Sequence, residues 1–373
     1  MNWAYRIARV SGIEIKIHVT FVLILLLGGV QWGGVHGAPG FIFGVLLMIA
    51  LFTCVTLHEL GHSLAAQAFK IPVREIVLLP IGGVAMLGKL PDKPIQELII
   101  AAAGPAVNVA IAAFLAIFGA PVLMTLDGHG LLEGSIPPPS LATFLFWLVA
   151  ANITLVAFNL IPAFPLDGGR MLRALLALFT DYARATKIAA TIGQTIAVGL
   201  GVLGVFSGNF ILAIIAVFIF FGAGMESFQA KAKTVLTTLR VGDAYNKHAL
   251  ELAPGDRVSR VVDYILTSYQ PDFGVVLGGN LLGVITREDV LKTLAARPDD
   301  PYVAEVMQRE VVRVSAGESL EQVQERMSEE KARVVAVYSG DRYLGLVSNE
   351  DLKEALSVLF FVRRQREAAL QGA

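Results

Sequence analysis

His58-Glu59-Leu60-Gly61-His62 is the stretch of this chain with the densest chemistry. On a helix, residues four apart project from one face about a turn apart, so the His58 and His62 rings can reach one metal ion. Glu59 lies beside His58 and three residues before His62. From there it can take a proton from a metal-bound water without itself being a ligand. This H-E-x-x-H pattern is that of zinc hydrolases. Zinc lowers the pKa of a bound water to about 7, which provides hydroxide where bulk water cannot. The surrounding residues are apolar enough to span a bilayer. Ionisable groups in such a span are costly and point to function. The competing account is a chance match among pore-lining polar residues.

The element around the motif follows from composition. The chain has 373 residues, 55% of them hydrophobic and 16% charged, and this excess of apolar residues is that of a polytopic membrane protein. Charge is unevenly spread: residues 1–230 hold 21 Asp, Glu, Lys or Arg and residues 231–373 hold 40. An apolar membrane part is therefore followed by a polar part of domain size. A net charge of −1 offers no basic field for nucleic acid. The single Cys54 excludes an intrachain disulfide. It falls one turn before His58, where a buried core thiol suits it better than a fourth ligand that would close the site to water.

Six apolar segments, 18–36, 41–69, 95–120, 141–161, 188–206 and 210–227, are each near the length of a crossing helix. Loops 32–40 and 121–140 and the Ser207-Gly208-Asn209 turn contain no Lys or Arg. The opposite side holds Arg6, Arg9, Lys16, Lys70, Arg74, Lys89, Lys93, Arg170, Arg173, Arg184, Lys187, Lys231 and Lys233. The positive-inside rule then predicts a multi-pass protein of the cell membrane with both termini cytoplasmic. No cleavable-signal pattern opens the chain. Residues 72–90 differ from the spans: rich in Val and Ile, with Pro72, Pro80, Gly82 and Gly83, they suit two short strands and a turn. We expect a re-entrant hairpin whose free edge could pair with an extended peptide. A cytoplasmic connector is the alternative.

A tetrahedral hydrolytic site needs a third protein ligand and one open position. His18 opens the first span, where an interfacial histidine is ordinary. Asp127 and His129 fall on the outer side, and Glu226 reads as a solvated end of the last span. Asp167, in Asn159-Leu-Ile-Pro162-Ala-Phe-Pro165-Leu-Asp167-Gly168-Gly169-Arg170, follows the fourth span. It lies on the same side as the second half of the second span, which holds His58 and His62. Prolines and glycines there permit the chain to fold back toward the metal. Spacing alone leaves a second account equally open, an Asp-Gly-Gly turn feeding a helix N-terminus.

HELGH in a span, the LLPIGG hairpin, Gly104-Pro105-x-x-Asn108 in the third span and NLIPAFPLDGGR after the fourth resemble the site-2 protease family of intramembrane zinc metalloproteases. Order and rough spacing agree over about residues 1–230. The resemblance implies one Zn2+ held by His58, His62 and Asp167, with Glu59 as general base and Asn159 lining the site near the substrate carbonyl. It implies more weakly that Asn108 lines the substrate, against which stands a packing amide near a Gly-Pro kink. Gly82 and Gly83 would belong to the substrate edge.

The polar part is an internal duplication. A shift of 62 aligns 241–294 with 303–356 without a gap, clearest in GVITREDV and GLVSNEDL. Each copy reads as a short strand, a polar turn, a helix, two strands and a helix. This resembles a tandem pair of CBS domains, the first over 241–295 and the second over 303–358, within a cytoplasmic part 231–373. The resemblance implies ATP, ADP or AMP in a cleft, with Thr286 or Ser348 on phosphate and Asp289 or Asp351 on ribose hydroxyls. A ligand-free pair that only forms a homodimer is the alternative, since neither copy has a Gly-rich phosphate loop. The basic tail Arg363-Arg364-Gln365-Arg366 reads as a solvated helix end.

The expected fold is thus a polytopic α-helical membrane protein, with six transmembrane helices and a re-entrant β-hairpin, followed by an α/β CBS pair. The expected function is cleavage of transmembrane protein substrates in the lipid bilayer. A CBS-regulated channel or transporter using the same polar residues, and a catalytically silent scaffold, are the rivals.

Overall fold

The computed structural model describes residues 3–80, 82–87, 91, 93–125, 136–246, 248–268, 270–296 and 299–355. Asp127, His129, Lys89 and the basic tail lie outside the described residues. The chain divides into two compact units, Met1–Phe228 and Gln229–Ala373.

The first unit opens with two strands that the apolar pattern did not announce, β1 (Ala4–Val10) and β2 (Ile13–His18). β2 alternates Ile13, Ile15 and Ile17 with Glu14 and Lys16, the period of two of a strand, whereas Arg6 and Arg9 of β1 are three apart and break it. β3 (Val73–Leu79) and β4 (Gly82–Leu87) form the expected hairpin, and β2 pairs with β3 in parallel. The sheet order is β1-β2-β3-β4, so β4 is an edge strand. Ile13, Ile15, Ile76 and Leu78 of this sheet pack on Leu60 and Ala66 of the first helix.

That helix belongs to α1 (Phe21–Ala68), in which the first two apolar segments form two helical limbs parted by a kink at Gly37, inside the expected loop 32–40. Gly37 has φ 64° and ψ −150°, which glycine adopts without a Cβ penalty, and Pro39 follows. Straight, 48 residues would extend about 72 Å, more than twice a bilayer core. Instead the two limbs fold against each other. A Cβ on Gly29 would lie 2.7 Å from the Phe41 ring, and one on Gly44 would collide with the Gly28 carbonyl. Small residues here permit backbone contact between limbs.

The remaining helices of this unit are α2 (Pro94–Leu123), α3 (Leu141–Asn159), α4 (Asp167–Ala177), α5 (Tyr182–Phe206) and the first part of α6 (Phe210–Thr238), whose last residues belong to the second unit. Among the described residues, α1, α2, α3, α5 and α6 are long and apolar enough to cross a membrane. Only 17% to 28% of their most apolar windows is buried. A water-soluble fold would not leave so much apolar surface uncovered, whereas lipid covers it. α4 is short and amphipathic, with Asp167 in its first turn.

In the second unit the duplication is exact in structure. The first copy comprises α7 (Val241–Ala244), β5 (Glu251–Leu252), α8 (Val258–Ser268), β6 (Asp272–Leu277), β7 (Asn280–Thr286) and α9 (Arg287–Ala296). The second comprises α10 (Val303–Val306), β8 (Arg313–Ser315), α11 (Leu320–Glu329), β9 (Val334–Ser339), β10 (Arg342–Ser348) and helical residues 349–355. Each copy makes a three-stranded sheet with one parallel and one antiparallel pairing. Separate cores fill the copies, and Val284 of the first packs with Val334, Ala336, Tyr343 and Leu346 of the second.

Candidate active site

The second limb of α1 carries His58, Glu59 and His62, and α4 carries Asp167. His58 Nε2 lies 3.0 Å from His62 Nε2, and Asp167 Oδ2 lies 3.3 Å from the first and 3.2 Å from the second. His58 and Asp167 are buried and His62 nearly so. Asp167 thus realises both accounts left open by spacing, since it begins a helix and also faces the two histidines.

Close approach is built into the glycines of the LDGG stretch. A Cβ on Gly169 would lie 2.5 Å from the backbone of Ala163 and Phe164, so only glycine lets the chain after α3 fold back on the first turn of α4. α2 approaches the ring pair in the same way. A Cβ on Gly104 would collide with the His62 ring and lie 2.8 Å from that of His58.

Hydrogen bonding places a proton on Nδ1 of each ring. His62 Nδ1 faces the Ile100 carbonyl at 2.7 Å, and a carbonyl only accepts, so this nitrogen carries the proton. His58 is fixed through a longer chain. Asn152 Nδ2 donates to the Leu148 carbonyl at 2.8 Å, leaving Asn152 Oδ1 to accept from Asn108 Nδ2 at 2.7 Å. Asn108 Oδ1 therefore accepts, and His58 Nδ1 donates to it. In the neutral rings both Nε2 atoms then hold lone pairs, pointed at each other and at a buried Asp167 carboxylate oxygen.

Three acceptors turned on one point without a donor repel unless a cation lies among them. The donor set tests well against zinc. Zn–N and Zn–O bonds of about 2.0–2.1 Å in a tetrahedron place ligand atoms about 3.3 Å apart. The observed edges are 3.0, 3.2 and 3.3 Å. Two neutral imidazoles and a carboxylate, with N–H groups anchored behind the rings, form a familiar ligand shell. Among the described residues this is the one group of three such side chains close enough to hold an ion.

Glu59 lies between the two histidines in sequence, and the β3–β4 hairpin reaches it. A Cβ on Gly83 would lie 2.6 Å from Glu59 Cγ, so the lack of a side chain at Gly83 lets strand and helix meet. Gly82, with φ 136°, opens β4 in a conformation that favours glycine. Asn159 ends α3 half-buried. Asn108 is fully buried behind the His58 ring. Cys54 packs among Trp32, Leu47 and Leu148 as a core thiol.

The sequence reading missed three contributors. Asn152 is one; an amide in mid-span was its available signal. The others are Arg173 and Glu97. Arg173 Nε donates to Glu97 Oε1 at 2.8 Å and Nη1 to Glu226 Oε2 at 2.8 Å. Its guanidinium also stacks 4.8 Å from the Phe164 ring and 5.0 Å from the Tyr182 ring. Glu226 is therefore not the solvated end expected, because α6 continues to Thr238 and Glu226 is held by a buried arginine. Arg173 ties the Asp167-bearing helix to α2, whose residues anchor both histidines.

In the second unit, Thr286 Oγ1 donates to Asp289 Oδ2 at 2.6 Å, and Gln308 Nε2 donates to both Asp289 oxygens at 2.9 and 3.1 Å. Ser348 Oγ donates to Asp351 Oδ2 at 2.7 Å. Thr286 and Ser348 thus also cap the helices they precede, and Asp289 and Asp351 in the first turns accept from the Thr286 and Ser348 backbone N–H groups. Asp272 stands apart. Burial pushes its carboxyl up to about 6, opposed by Arg333 and reinforced by Glu350 and Asp351.

Comparison with known proteins finds relatives of both units. The model of peptidase family M50 matches residues 46–128 and 121–200, and that of the CBS domain matches residues 303–358, the second copy. Zinc metalloprotease MJ0392 of Methanocaldococcus jannaschii is 33% identical over 359 residues, covering 96% of this chain and 98% of that protein. Stage IV sporulation protein FB of Bacillus subtilis is 26% identical over 176 residues, covering 47% of this chain and 52% of that protein. The solved structure of a site-2 protease from Methanocaldococcus jannaschii is 40% identical, covers 60% of this chain and 95% of that chain, and superposes with a TM-score of 0.43. The chain belongs to peptidase family M50, the site-2 protease family of zinc metallopeptidases, and carries a CBS domain in its polar part.

Proposed function

We propose that this chain hydrolyses a peptide bond within or beside a transmembrane segment of a protein substrate, and that its CBS pair modulates the reaction through an adenine nucleotide. His58, His62 and Asp167 hold the zinc ion. When bound, zinc supplies Lewis acidity and lowers the pKa of water toward about 7. Glu59 takes the proton of the attacking water and delivers it to the departing amide nitrogen. Asn159 steadies the carbonyl oxygen of the scissile bond. Asn108 acts behind the site, holding His58 in the tautomer that turns Nε2 toward Asp167.

The substrate must be extended at the cleavage point, because the amides of an intact helix are occupied by their own hydrogen bonds. The edge of β4, beginning at Gly82 and Gly83, offers backbone groups for such a strand beside Glu59. In the membrane we read six crossings, two of them the limbs of α1, with both termini cytoplasmic; the loop charges support this topology.

The observation that carries the assignment is the triangle of three donor-free acceptors beside Glu59. Its test is a comparison of membrane fragments in cells carrying wild-type protein or Glu59→Gln. Uncut membrane proteins should accumulate in the variant, whose purified form keeps about one zinc per chain. Equal fragment patterns, or full proteolytic activity of Glu59→Gln in detergent, would overturn the mechanism.

A further inference from the structure

α4 carries a metal ligand in its first turn and a buried arginine in its second half. Asp167 and Arg173 are six residues apart, about 9 Å along a helix axis. A helix this short moves as one piece, so whatever fixes Arg173 also fixes Asp167. Three other helices hold the guanidinium. Its Nε and Nη2 both donate to Glu97 Oε1 of α2, and its Nη1 donates to Glu226 Oε2 of α6. The ring of Tyr182, which opens α5, stacks on it, as does that of Phe164 from the turn before α4.

Two details give this network more than a packing role. Glu97 lies three residues before Ile100, whose carbonyl accepts from His62 Nδ1. The same turn of α2 therefore sets His62 and, through Arg173, Asp167. Residues of a metal site must hold their places to within about 0.5 Å, and a shared reference on α2 provides that. Glu226 supplies the second detail. The Arg173 and Glu97 side chains are 4% and 7% exposed, whereas that of Glu226 is 21% exposed. α6 runs on from Glu226 to Thr238, past the end of the first unit at Phe228. The more open arm of the network thus belongs to the helix that joins the two units. Replacing a buried ion pair with apolar residues is often neutral or stabilising, so stability alone does not call for two carboxylates on one arginine.

We propose that Arg173 is a positioning residue for the metal ligand Asp167, and that Glu226 makes this position depend on α6. The inference rests on His58, His62 and Asp167 as zinc ligands and adds a control on them from outside the site.

Zinc alone and Co2+ alone are the probes, with the full chain in detergent. Chelator competition reads zinc affinity, and the visible absorption of bound Co2+ reads the geometry of its ligands. Arg173→Lys keeps the charge but cannot span two carboxylates with a planar fork. It should weaken zinc binding about tenfold and shift the Co2+ band. Glu226→Ala should weaken zinc binding less, about threefold, and shift the band in the same direction. Glu226→Gln, which keeps an acceptor for Nη1, should recover part of both. Thermal melts identify a variant that fails to fold, and Glu226→Ala, at a partly exposed position, carries the test if Arg173→Lys does so. A merely structural role would lower the melting temperature and leave zinc affinity and the Co2+ band of the folded chain at wild-type values, and that result overturns the proposal. An effect of Arg173→Lys with none of Glu226→Ala would overturn the part given to α6. Folded wild type that binds neither ion would instead remove the zinc assignment itself.

Discussion

The His58–His62–Asp167 cluster and the Thr286–Asp289 and Ser348–Asp351 pairs are both small groups of polar side chains held by neighbouring elements, yet their hydrogen bonding is opposite in kind. In the pairs every bond has a donor and an acceptor within the chain, and the bonds cap helices. In the cluster every donor points outward, to Ile100 and Asn108, and only acceptors face the centre. The pairs are complete without a ligand, so a nucleotide would have to compete with bonds already made. The cluster is complete only with a cation. Unsatisfied acceptors therefore identify a metal centre more sharply than residue types do, and satisfied ones leave a binding role to be shown by experiment.

The largest effect expected from this contrast is at Glu59. Glu59→Gln should lower proteolysis by about 10²–10⁴-fold with zinc content retained, whereas His58→Ala should lose both, as read by metal analysis and cleavage of one purified substrate. Next comes Arg173. Arg173→Met leaves Glu97 buried without its partner and should cost about 3–5 kcal/mol, while adding Glu97→Gln should recover much of that loss in thermal unfolding. Asn108→Ala leaves the His58 N–H unpaired and should weaken zinc affinity about 10–100-fold in chelator competition.

The last two predictions concern the second unit. Folding raises the Asp272 pKa from its ordinary 3.8 to about 6, so the native state disfavours the ionised form. Stability should fall as pH rises from about 4 to about 6 and then level off. Asp272→Asn should remove this dependence, melting above wild type at pH 8 and level with it near pH 4. Asp289→Ala removes a helix cap and should cost about 1 kcal/mol. A much larger loss there, or none for Arg173→Met, would undo the division drawn between self-satisfied pairs and the framework of the metal site.

Much of this site was legible in one dimension. His58, Glu59 and His62 are local, and a helix converts their spacing into a face without further information. The repeat at 62 residues was equally plain, since ungapped duplication preserves every element boundary. Loop charge and the Pro-Ile-Gly-Gly turn located the β3–β4 hairpin. β1 and β2 escaped because both are short and charged, and a window sized for membrane helices averages them away. The break between the first two apolar segments was legible as well, since Gly37 and Pro39 part the two limbs there.

The sequence by itself determined the catalytic type, the apolar character of the first unit and the twofold repeat of the second. These depend on residue identity and short-range periodicity. Only the tertiary structure decided that Asp167 meets His58 and His62, which are more than a hundred residues away. It also decided that Asn108 and Asn152 set a histidine tautomer, that Glu226 serves Arg173, and that Asp272 is buried opposite Thr286. The physical reason is that hydrogen-bond satisfaction is a property of neighbours in space. Whether a buried acceptor has a donor is settled by how helices and strands pack, and no spacing along the chain records it.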